Sequence, residues 1–351
     1  MSVMDLFPLV RPALGLVNPE LAHRLTLLGL KTGFGPVDRT GDPASLGVDL
    51  LGLRFSNPLG IAAGFDKNGE VPDAMLAMGM GFAEVGTVTP RPQGGNPRPR
   101  IFRLDAHDAV INRLGFNNEG HAALHRRLEA RARRGGIVGV NIGANKDAAD
   151  RIADYETGIK TFEDVASYFT VNISSPNTPG LRALQGRGEL EALMTRVLKA
   201  RHGEVPILLK IAPDLTAEDR ADIAAVALDL NLDGLIVSNT TIERQGLVSG
   251  PHAGETGGLS GKPLFALSTQ ILADIYRLTG GRVPLVGVGG IASGADAYTK
   301  IRNGASLIQL YSALTYEGPA LVTRIKRDLA AMLKHDGFAR VADAVGIDVN
   351  L

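Results

Sequence analysis

The chain has 351 residues, of which 44% are hydrophobic and 21% charged, and its formal net charge is zero. These values are typical of a globular protein whose length suits one (β/α)8 barrel with an appendage, and they give no electrostatic reason to expect a nucleic-acid partner. The absence of cysteine excludes disulfides, thiolate metal sites and a cysteine base. No apolar segment approaches the ~20 residues that span a bilayer.

The first forty residues predict two short amphipathic helices. Apolar residues recur at helical spacing over residues 3–17, where two prolines must shorten or kink the element. The second helix begins at Asn18-Pro19-Glu20, which supplies a cap, a proline at the first turn and an acid near the positive end of the helix dipole. Leu21, Leu25 and Leu28 follow on one face of this helix. The pair either covers the bottom of a barrel by ordinary packing or forms a membrane-surface hairpin.

Eight short apolar runs follow along the chain. They occupy residues 59–63, 82–86, 137–141, 169–173, 207–211, 234–238, 285–288 and 307–310. Between most of them lie stretches of helical period, at residues 190–200, 217–230, 264–278 and 320–333. This alternation predicts an α/β fold, a closed (β/α)8 TIM barrel, with a doubly wound open sheet as the alternative. Two irregular excursions, residues 89–118 and 240–260, predict functional loops.

Polar residues recur where the runs end. Asn141 and Asn239 close two of them, and Asn172 precedes the pair Ser174-Ser175 in a third. These positions would share the carboxyl face of a barrel, where active sites lie. A carboxamide offers a donor and an acceptor together, which suits a flat, imide-like ligand. Glycines at the last two runs, around residues 287–290 and 304–306, predict a phosphate cradle, unless the turns simply require glycine.

Two lysines accompany this face. Lys210 lies inside the run 207–211, where a buried ammonium requires an anionic partner or a strongly altered pKa. It either forms a structural ion pair or offsets negative charge on a bound cofactor ring. Lys67 follows the first run at a turn of small residues, and is either a surface lysine or the neighbour of a flat ring.

A serine in such a loop cannot act alone as a base. Its hydroxyl is too weakly acidic to exist as an alkoxide, so it would relay a proton through Thr178 or a bound water. None of the seven histidines lies near Ser174 or Ser175 in sequence, which disfavours acyl-transfer hydrolysis. No pair of histidines suggests a metal site.

Several segments together resemble dihydroorotate dehydrogenases. They are residues 63–67, 86–90, 111–118, 172–179, 238–241, 257–261 and 287–290. The resemblance runs through nearly the whole chain and is nearest to the quinone-linked, membrane-associated class 2, which has a serine in the active-site loop and an N-terminal helical extension. It implies an extension for membrane and quinone access at residues 1–40, and an FMN-binding barrel at residues 41–351.

The same motifs imply the site residues. The resemblance implies FMN-binding residues Ala63, Gly64, Phe65, Asp66, Lys67, Thr87, Asn141, Asn172, Lys210, Ser238, Gly261, Gly290, Tyr311 and Ser312. It implies substrate-binding residues Lys67, Asn112, Arg113, Leu114, Gly115, Phe116, Asn172, Asn177, Asn239 and Thr240. Ser175 matches the catalytic base, Ser174 is interpreted as structural, and His23 and Arg103 match residues that line a quinone tunnel. Ser238 stands where threonine is frequent, which preserves the hydroxyl.

The activity implied by the resemblance is oxidation of (S)-dihydroorotate to orotate with FMN, with electrons passed to a membrane quinone in pyrimidine biosynthesis. We also expect peripheral contact with the cytoplasmic face of the inner membrane, no metal and no nucleic acid. Three rival interpretations remain: an FMN barrel that uses fumarate or a nicotinamide as acceptor, a non-redox phosphate-binding barrel, and a barrel that only binds its ligand.

Overall fold

A computed structural model of the protein describes residues 7–33, 35–248 and 250–351. The start of the first predicted helix, residues 3–6, lies outside these ranges. In chain order the strands are β1 (Val48–Leu50), β2 (Leu53–Phe55), β3 (Leu59–Asp66), β4 (Phe82–Val88), β5 (Ile101–Leu104), β6 (Ala109–Asn112), β7 (Ile137–Ile142), β8 (Tyr168–Asn172), β9 (Ile207–Ile211), β10 (Gly234–Val237), β11 (Gly258–Gly261), β12 (Leu285–Val288) and β13 (Ala305–Leu310). The helices are α1 (Phe7–Leu16), α2 (Pro19–Lys31), α3 (Pro72–Ala77), α4 (His121–Arg131), α5 (Arg151–Phe162), α6 (Arg187–Ala200), α7 (Ala217–Asp229), α8 (Phe265–Thr279), α9 (Gly294–Arg302), α10 (Ala313–Glu317) and α11 (Ala320–His335).

The eight predicted runs form a closed barrel of parallel strands, in the order β3-β4-β7-β8-β9-β10-β12-β13. Every residue of β4, β8 and β9 is buried, as expected for strands covered by helices outside and packed side chains inside. The closed barrel confirms the predicted TIM fold and excludes the open sheet. Several boundaries differ by one or two residues, and the largest difference is at β3, which continues to Asp66 and shifts register against β4 between Ile61 and Asp66.

The two irregular excursions contain strands that the sequence pattern did not predict. β5 and β6 come from the first and β11 from the second, and they pair as a three-stranded antiparallel sheet with β6 in the centre. These strands have only four residues each, too few for an alternating pattern to be recognised. The sheet is joined to the loop region after β13, because Ser312 donates to Ser260 at 2.7 Å and the hydroxyl of Tyr316 donates to the carbonyl of Ala109 at 2.6 Å.

The two N-terminal helices form as predicted, and Asn18 caps α2 by accepting hydrogen bonds from the backbone N–H groups of Glu20 and Leu21. They do not cover the bottom of the barrel. The ring of His23 lies 5.4 Å from that of Phe65, at the carboxyl end of β3. The guanidinium of Arg103, in β5, donates to the carbonyls at the end of α1. The helices therefore lie at the carboxyl face, beside the predicted site.

Ion pairs hold α2 in this position. Glu20 contacts Arg100 at 2.6 Å and Arg98 at 3.0 Å, while Glu70 contacts Arg24 at 2.6 Å and Lys31 at 3.3 Å. The other side of the helix presents its three leucines to solvent, with Leu21 53%, Leu25 48% and Leu28 42% exposed. None of the helices within the described residues combines the length and apolarity that crossing a membrane requires.

Candidate active site

One cavity of roughly 900 Å³ lies at the carboxyl ends of the strands, between the barrel, the three-stranded sheet and the N-terminal helices. It brings together nearly all of the predicted site residues, although they are scattered from His23 to Ser312 in sequence. The predicted residues that do not line it are Asp66, Asn141 and Arg113. The convergence of distant amides predicted from the strand ends is therefore present in the structure.

Each of the three residues outside the lining contacts other parts of the chain. Asp66 accepts hydrogen bonds from the backbone N–H groups of Glu70 and Val71, at 2.9 and 2.7 Å, and burial raises its pKa. Arg113 pairs with Glu255 at 2.7 Å and covers the ring of Phe102. Asn141 is fully buried, directly beneath lining residues.

Asn141, Thr87, Asn172 and Asn239 form one hydrogen-bonded network. The hydroxyl of Thr87 donates to Oδ1 of Asn141 at 2.5 Å, and Nδ2 of Asn172 donates to Thr87 at 2.9 Å. Nδ2 of Asn239 in turn donates to Oδ1 of Asn172 at 3.3 Å and to the hydroxyl of Ser174 at 3.0 Å. Ser174 thus belongs to this network.

Ser175 faces the cavity beside a second pair of amides. Nδ2 of Asn177 donates to Oδ1 of Asn112 at 3.3 Å, and the backbone N–H of Asn177 donates to the hydroxyl of Ser175 at 3.2 Å. Ser175 is 7% exposed and reaches the cavity, whereas Ser174 is fully buried. No hydrogen bond joins Thr178 to Ser175 in the part of the chain that the structure describes, so Thr178 does not form a direct relay here.

The two lysines have different surroundings. Lys67 donates to the carbonyl of Gly64 at 3.0 Å, and burial, followed by the charge of Arg100, lowers its pKa to about 8. Lys210 is 5% exposed and lines the cavity, but among the described residues it has no hydrogen bond or ion pair. Burial lowers the pKa of Lys210, against the opposing field of Glu84. A buried ammonium without a partner indicates that an electron-rich group completes this site.

The glycine-rich end of the cavity lies at β12 and the start of α8. Gly290 has a φ of +77°, and a Cβ there would lie 2.5 Å from the backbone of Phe265, so only glycine fits. Behind it, the fully buried Lys300 donates to Ser268 at 2.6 Å, and Ser268 donates to the carbonyl of Gly289 at 3.1 Å. The backbone can therefore approach an anion closely at this end, as the glycine pattern predicts.

The opposite end of the cavity lies under α2. The rings of His23, Phe65 and Tyr311 lie within 6.2 Å of one another, and Arg103 lines the same region. Burial, followed by the charge of Lys67, lowers the pKa of His23 to about 4, so this histidine is neutral at neutral pH. An uncharged aromatic wall favours an apolar, planar ligand.

Three residues near the site escaped sequence reasoning. Glu84 and Gln309 lie on β4 and β13, fully buried inside the barrel and bonded to each other at 2.7 Å. Glu84 interrupts an apolar run, so the reasoning applied to Lys210 would have identified it. Arg182 binds the carbonyls of Ser174 and Thr240 and pairs with Asp214 at 2.7 Å. No sequence signal indicated that arginine, because its partners come from three separate loops.

Comparison with known proteins gives concordant results. Residues 45–333 match the family model described as dihydroorotate dehydrogenase. The chain is 73% identical to the dihydroorotate dehydrogenase (quinone) of Parvibaculum lavamentivorans, over 99% of this chain and 100% of that protein. It is 56% identical to the protein of the same name from Rhodospirillum rubrum, over 98% and 95% of the two chains.

A solved structure agrees over the whole fold. The ligand-free enzyme of Eimeria tenella superposes with a TM-score of 0.92 at 43% identity, over 95% of this chain and 100% of that one. The complex of the same enzyme with ferulenol gives 0.91 at 43% identity, over 94% and 96%. Because sequence, family model and fold agree over almost the full length, this chain belongs to the dihydroorotate dehydrogenase family.

Proposed function

We propose that this chain oxidises (S)-dihydroorotate to orotate with FMN and passes the electrons to a membrane quinone, as a step of pyrimidine biosynthesis. The observation that carries the proposal is that one cavity holds the amides, Ser175 and two lysines together with the uncharged ring of His23. One cavity can thus serve a polar substrate and an apolar electron acceptor. The relatives named for a quinone acceptor support the same assignment.

The family is one of flavoenzymes, and the residues present suit FMN. The unpartnered ammonium of Lys210 and the bare backbone at Gly290 fit an electron-rich ring and a phosphate, respectively. FMN bound there would supply the two-electron redox chemistry, with its ring as acceptor of the hydride from C6 of the substrate and as donor of electrons to the quinone. The residues that would hold it are Ala63, Gly64, Phe65, Lys67, Thr87, Asn172, Lys210, Ser238, Gly261, Gly290, Tyr311 and Ser312, with Asp66 and Asn141 behind them.

The carboxamides would hold the substrate by its amide and imide edges. Asn112 and Asn177 reach it from the three-stranded sheet and the loop after β8, while Asn172 and Asn239 reach it from the barrel. Lys67, Gly115, Phe116 and Thr240 complete this surface, with Leu114 beside them and Arg113 holding the loop from outside. Carboxamides on both sides of the substrate would fix its orientation before reaction, so that binding energy is used to position the reacting atoms.

Ser175 would take the proton from C5 of dihydroorotate. Because its hydroxyl cannot persist as an alkoxide, it must pass its own proton to a bound water in the same step. Lys210 supplies a fixed positive charge where negative charge develops, in a site with little water to screen it. Residues 176–181 would close over the site and exclude water.

His23 and Arg103 would line the path of the quinone beneath α2. The exposed leucines of that helix give residues 1–40 an apolar surface suited to the membrane interface, while residues 41–351 form the catalytic barrel. The protein would then bind peripherally at the cytoplasmic face of the inner membrane, where the quinone is available.

Absorbance spectroscopy of the purified protein tests the proposal. We expect a flavin spectrum that bleaches on adding dihydroorotate without oxygen and recovers on adding a short-chain quinone. A colourless protein would favour the non-redox barrel. Bleaching reversed by fumarate or a nicotinamide, but not by the quinone, would favour the other acceptor class.

A further inference from the structure

Glu84 lies on β4 in the centre of the barrel, with no exposed surface. Its Oε2 atom accepts hydrogen bonds from the hydroxyl of Tyr168 at 3.1 Å and from Nε2 of Gln309 at 2.7 Å. Its Oε1 atom accepts one from Nδ2 of Asn141 at 2.8 Å. Because a carboxylate can only accept, Asn141 must turn its NH2 group toward Glu84 and its oxygen toward the cavity.

The orientation of Asn141 is matched by that of the next amide, Asn172. The oxygen of Asn141 accepts from the hydroxyl of Thr87 and, at 3.3 Å, from the NH2 group of Asn172. Asn172 therefore turns its own oxygen toward the mouth, where it accepts from Asn239 at 3.3 Å and from the hydroxyl of Ser174 at 3.2 Å. In all three asparagines the NH2 group points back along the chain of bonds toward Glu84.

We propose that Glu84 is a positioning residue that determines which atom of Asn141 faces Asn172 and thereby keeps the asparagines that hold the substrate paired, although it touches neither substrate nor cofactor. The inference rests on the proposed function, since it assigns Asn172 and Asn239 to the substrate. An amide presents a donor at one atom and an acceptor at the other, so reversing it replaces an attraction by a repulsion. The acceptor-only carboxylate of Glu84 removes that ambiguity for Asn141. The backbone N–H groups of Ser174 and Thr240 donate to the oxygens of Asn172 and Asn239, so those two amides cannot reverse to follow a reversed Asn141.

The substitution Glu84→Gln isolates this role because it preserves size and removes only the second acceptor. When the new amide oxygen stays opposite Tyr168 and Gln309, which both donate, its NH2 group faces the NH2 group of Asn141. The oxygen of Gln309 has no partner among the described residues, so the same comparison in a Gln309→Met background prevents a compensating reversal of Gln309. Asn141 must then reverse. The hydroxyl of Thr87 can rotate to accommodate the reversal. The NH2 group of Asn172, however, would then face the NH2 group of Asn141, and neither can accept a hydrogen bond.

Titration of the flavin protein with orotate, followed by the change in flavin absorbance, measures the consequence. We expect Glu84→Gln to retain FMN and to weaken orotate binding about tenfold or more, the effect of one mispaired buried polar group. The control Tyr168→Phe also removes a hydrogen bond from Glu84 but leaves the asparagines aligned. It should change the orotate Kd by less than about threefold.

The double variant Glu84→Gln/Asn141→Asp provides a rescue. The carboxylate introduced at position 141 would accept from the amide introduced at position 84 below it, and from Thr87 and Asn172 above. This variant should bind orotate more tightly than Glu84→Gln alone, and it remains informative if the single variant does not fold. Equal affinity of wild type and Glu84→Gln, equal loss in Tyr168→Phe, or an unfolded or unrescued double variant would each overturn the inference. Failure of the wild type to bind orotate would instead contradict the proposed function.

Discussion

Ser174 and Ser175 are neighbours in the loop after β8, but their hydroxyl groups make different hydrogen bonds. The hydroxyl of Ser174 is fully hydrogen-bonded within the amide network, where it donates to Asn172 and accepts from Asn239. That of Ser175 accepts only from the backbone N–H of Asn177 among the described residues, and its own proton remains available. Of these two serines, only Ser175 therefore keeps its hydroxyl proton free for transfer.

Replacing Ser175 with alanine should slow reduction of the flavin by dihydroorotate about 100-fold or more, the usual contribution of a positioned general base. Orotate affinity and FMN content should change little, because the amides that hold the ring are untouched. Anaerobic stopped-flow absorbance gives the reduction rate, and orotate titration gives the control. A rate near that of the wild type would remove Ser175 from the mechanism.

A second prediction at this scale concerns His121, which is 5% exposed. Neither ring nitrogen has a partner within the described residues. Burial lowers its pKa from 6.5 to about 4. Between these values the unfolded chain binds a proton that the folded chain does not, so stability falls as pH falls from 6.5 toward 4, by up to about 3 kcal/mol. Urea unfolding across this range should show a shallower decline in His121→Leu than in the wild type; parallel pH profiles would contradict the assignment.

At the scale of elements, Arg182 connects the two ends of the loop after β8. Arg182 follows residues 176–181 and its Nε donates back to the carbonyl of Ser174 at 3.0 Å. Its other nitrogens bind Asp214 and the carbonyl of Thr240, so loops after β8, β9 and β10 meet at one guanidinium. A bidentate, planar group can hold three loops in this way, and an ammonium cannot.

Replacing Arg182 with lysine should therefore free the closing loop while the barrel remains folded. We expect faster proteolytic cleavage within residues 176–181 and weaker orotate binding, because the loop can no longer be held over the site. Arg187→Met is a suitable control, since Arg187 is an exposed arginine at the start of the next helix. Unchanged cleavage in Arg182→Lys would show that the loop is held by other contacts.

The outward face of α2 gives a second prediction for an element. Changing Leu21, Leu25 and Leu28 together to serine should reduce co-sedimentation with lipid vesicles, because the exposed apolar area is lost. Reduction of the bound flavin by dihydroorotate should remain unchanged. Leu278→Ser, at a comparably exposed leucine on α8, is the control. Undiminished vesicle binding by the triple variant would assign the membrane contact elsewhere.

For the molecule as a whole, a buried triad joins the segment after the N-terminal helices to the barrel. Lys326 on α11 contacts Asp38 and Asp42, each at 2.6 Å, and all three side chains are largely buried. Although burial opposes it, hydrogen bonding to Lys326 keeps the pKa values of both aspartates below their usual range. The stability that these carboxylates contribute is present above about pH 4 and is lost as pH falls through their folded-state pKa values.

Lys326→Met should lower the free energy of unfolding by about 3–5 kcal/mol at neutral pH, because it leaves two carboxylates without their cation. Lys334→Met, at an exposed lysine of the same helix, should change it by less than about 0.5 kcal/mol. Urea titration measures both. Equal effects of the two variants would show that the triad is not a structural tie.

Sequence predicted the barrel well, because the strands buried on both faces appear as continuous apolar runs. It predicted the cavity lining through residues at strand ends, since parallel strands place those ends on one face. It could not predict the sheet of β5, β6 and β11, in which β11 pairs with β6 across more than a hundred residues. Nor could it reveal the direction of the Asn141 amide, because that depends on the contact of this residue with Glu84.

Ion pairs act on the side of α2 that faces the barrel, whereas the hydrophobic effect acts on its exposed leucines. A salt such as sulfate screens the ion pairs formed by Glu20 and Glu70, which are partly open to water, but it strengthens the tendency of apolar surface to leave water. Rising ionic strength should therefore loosen the helix from the barrel while favouring its transfer to the lipid. Electron delivery to the quinone would then respond to salt, whereas oxidation of the substrate in the barrel would not.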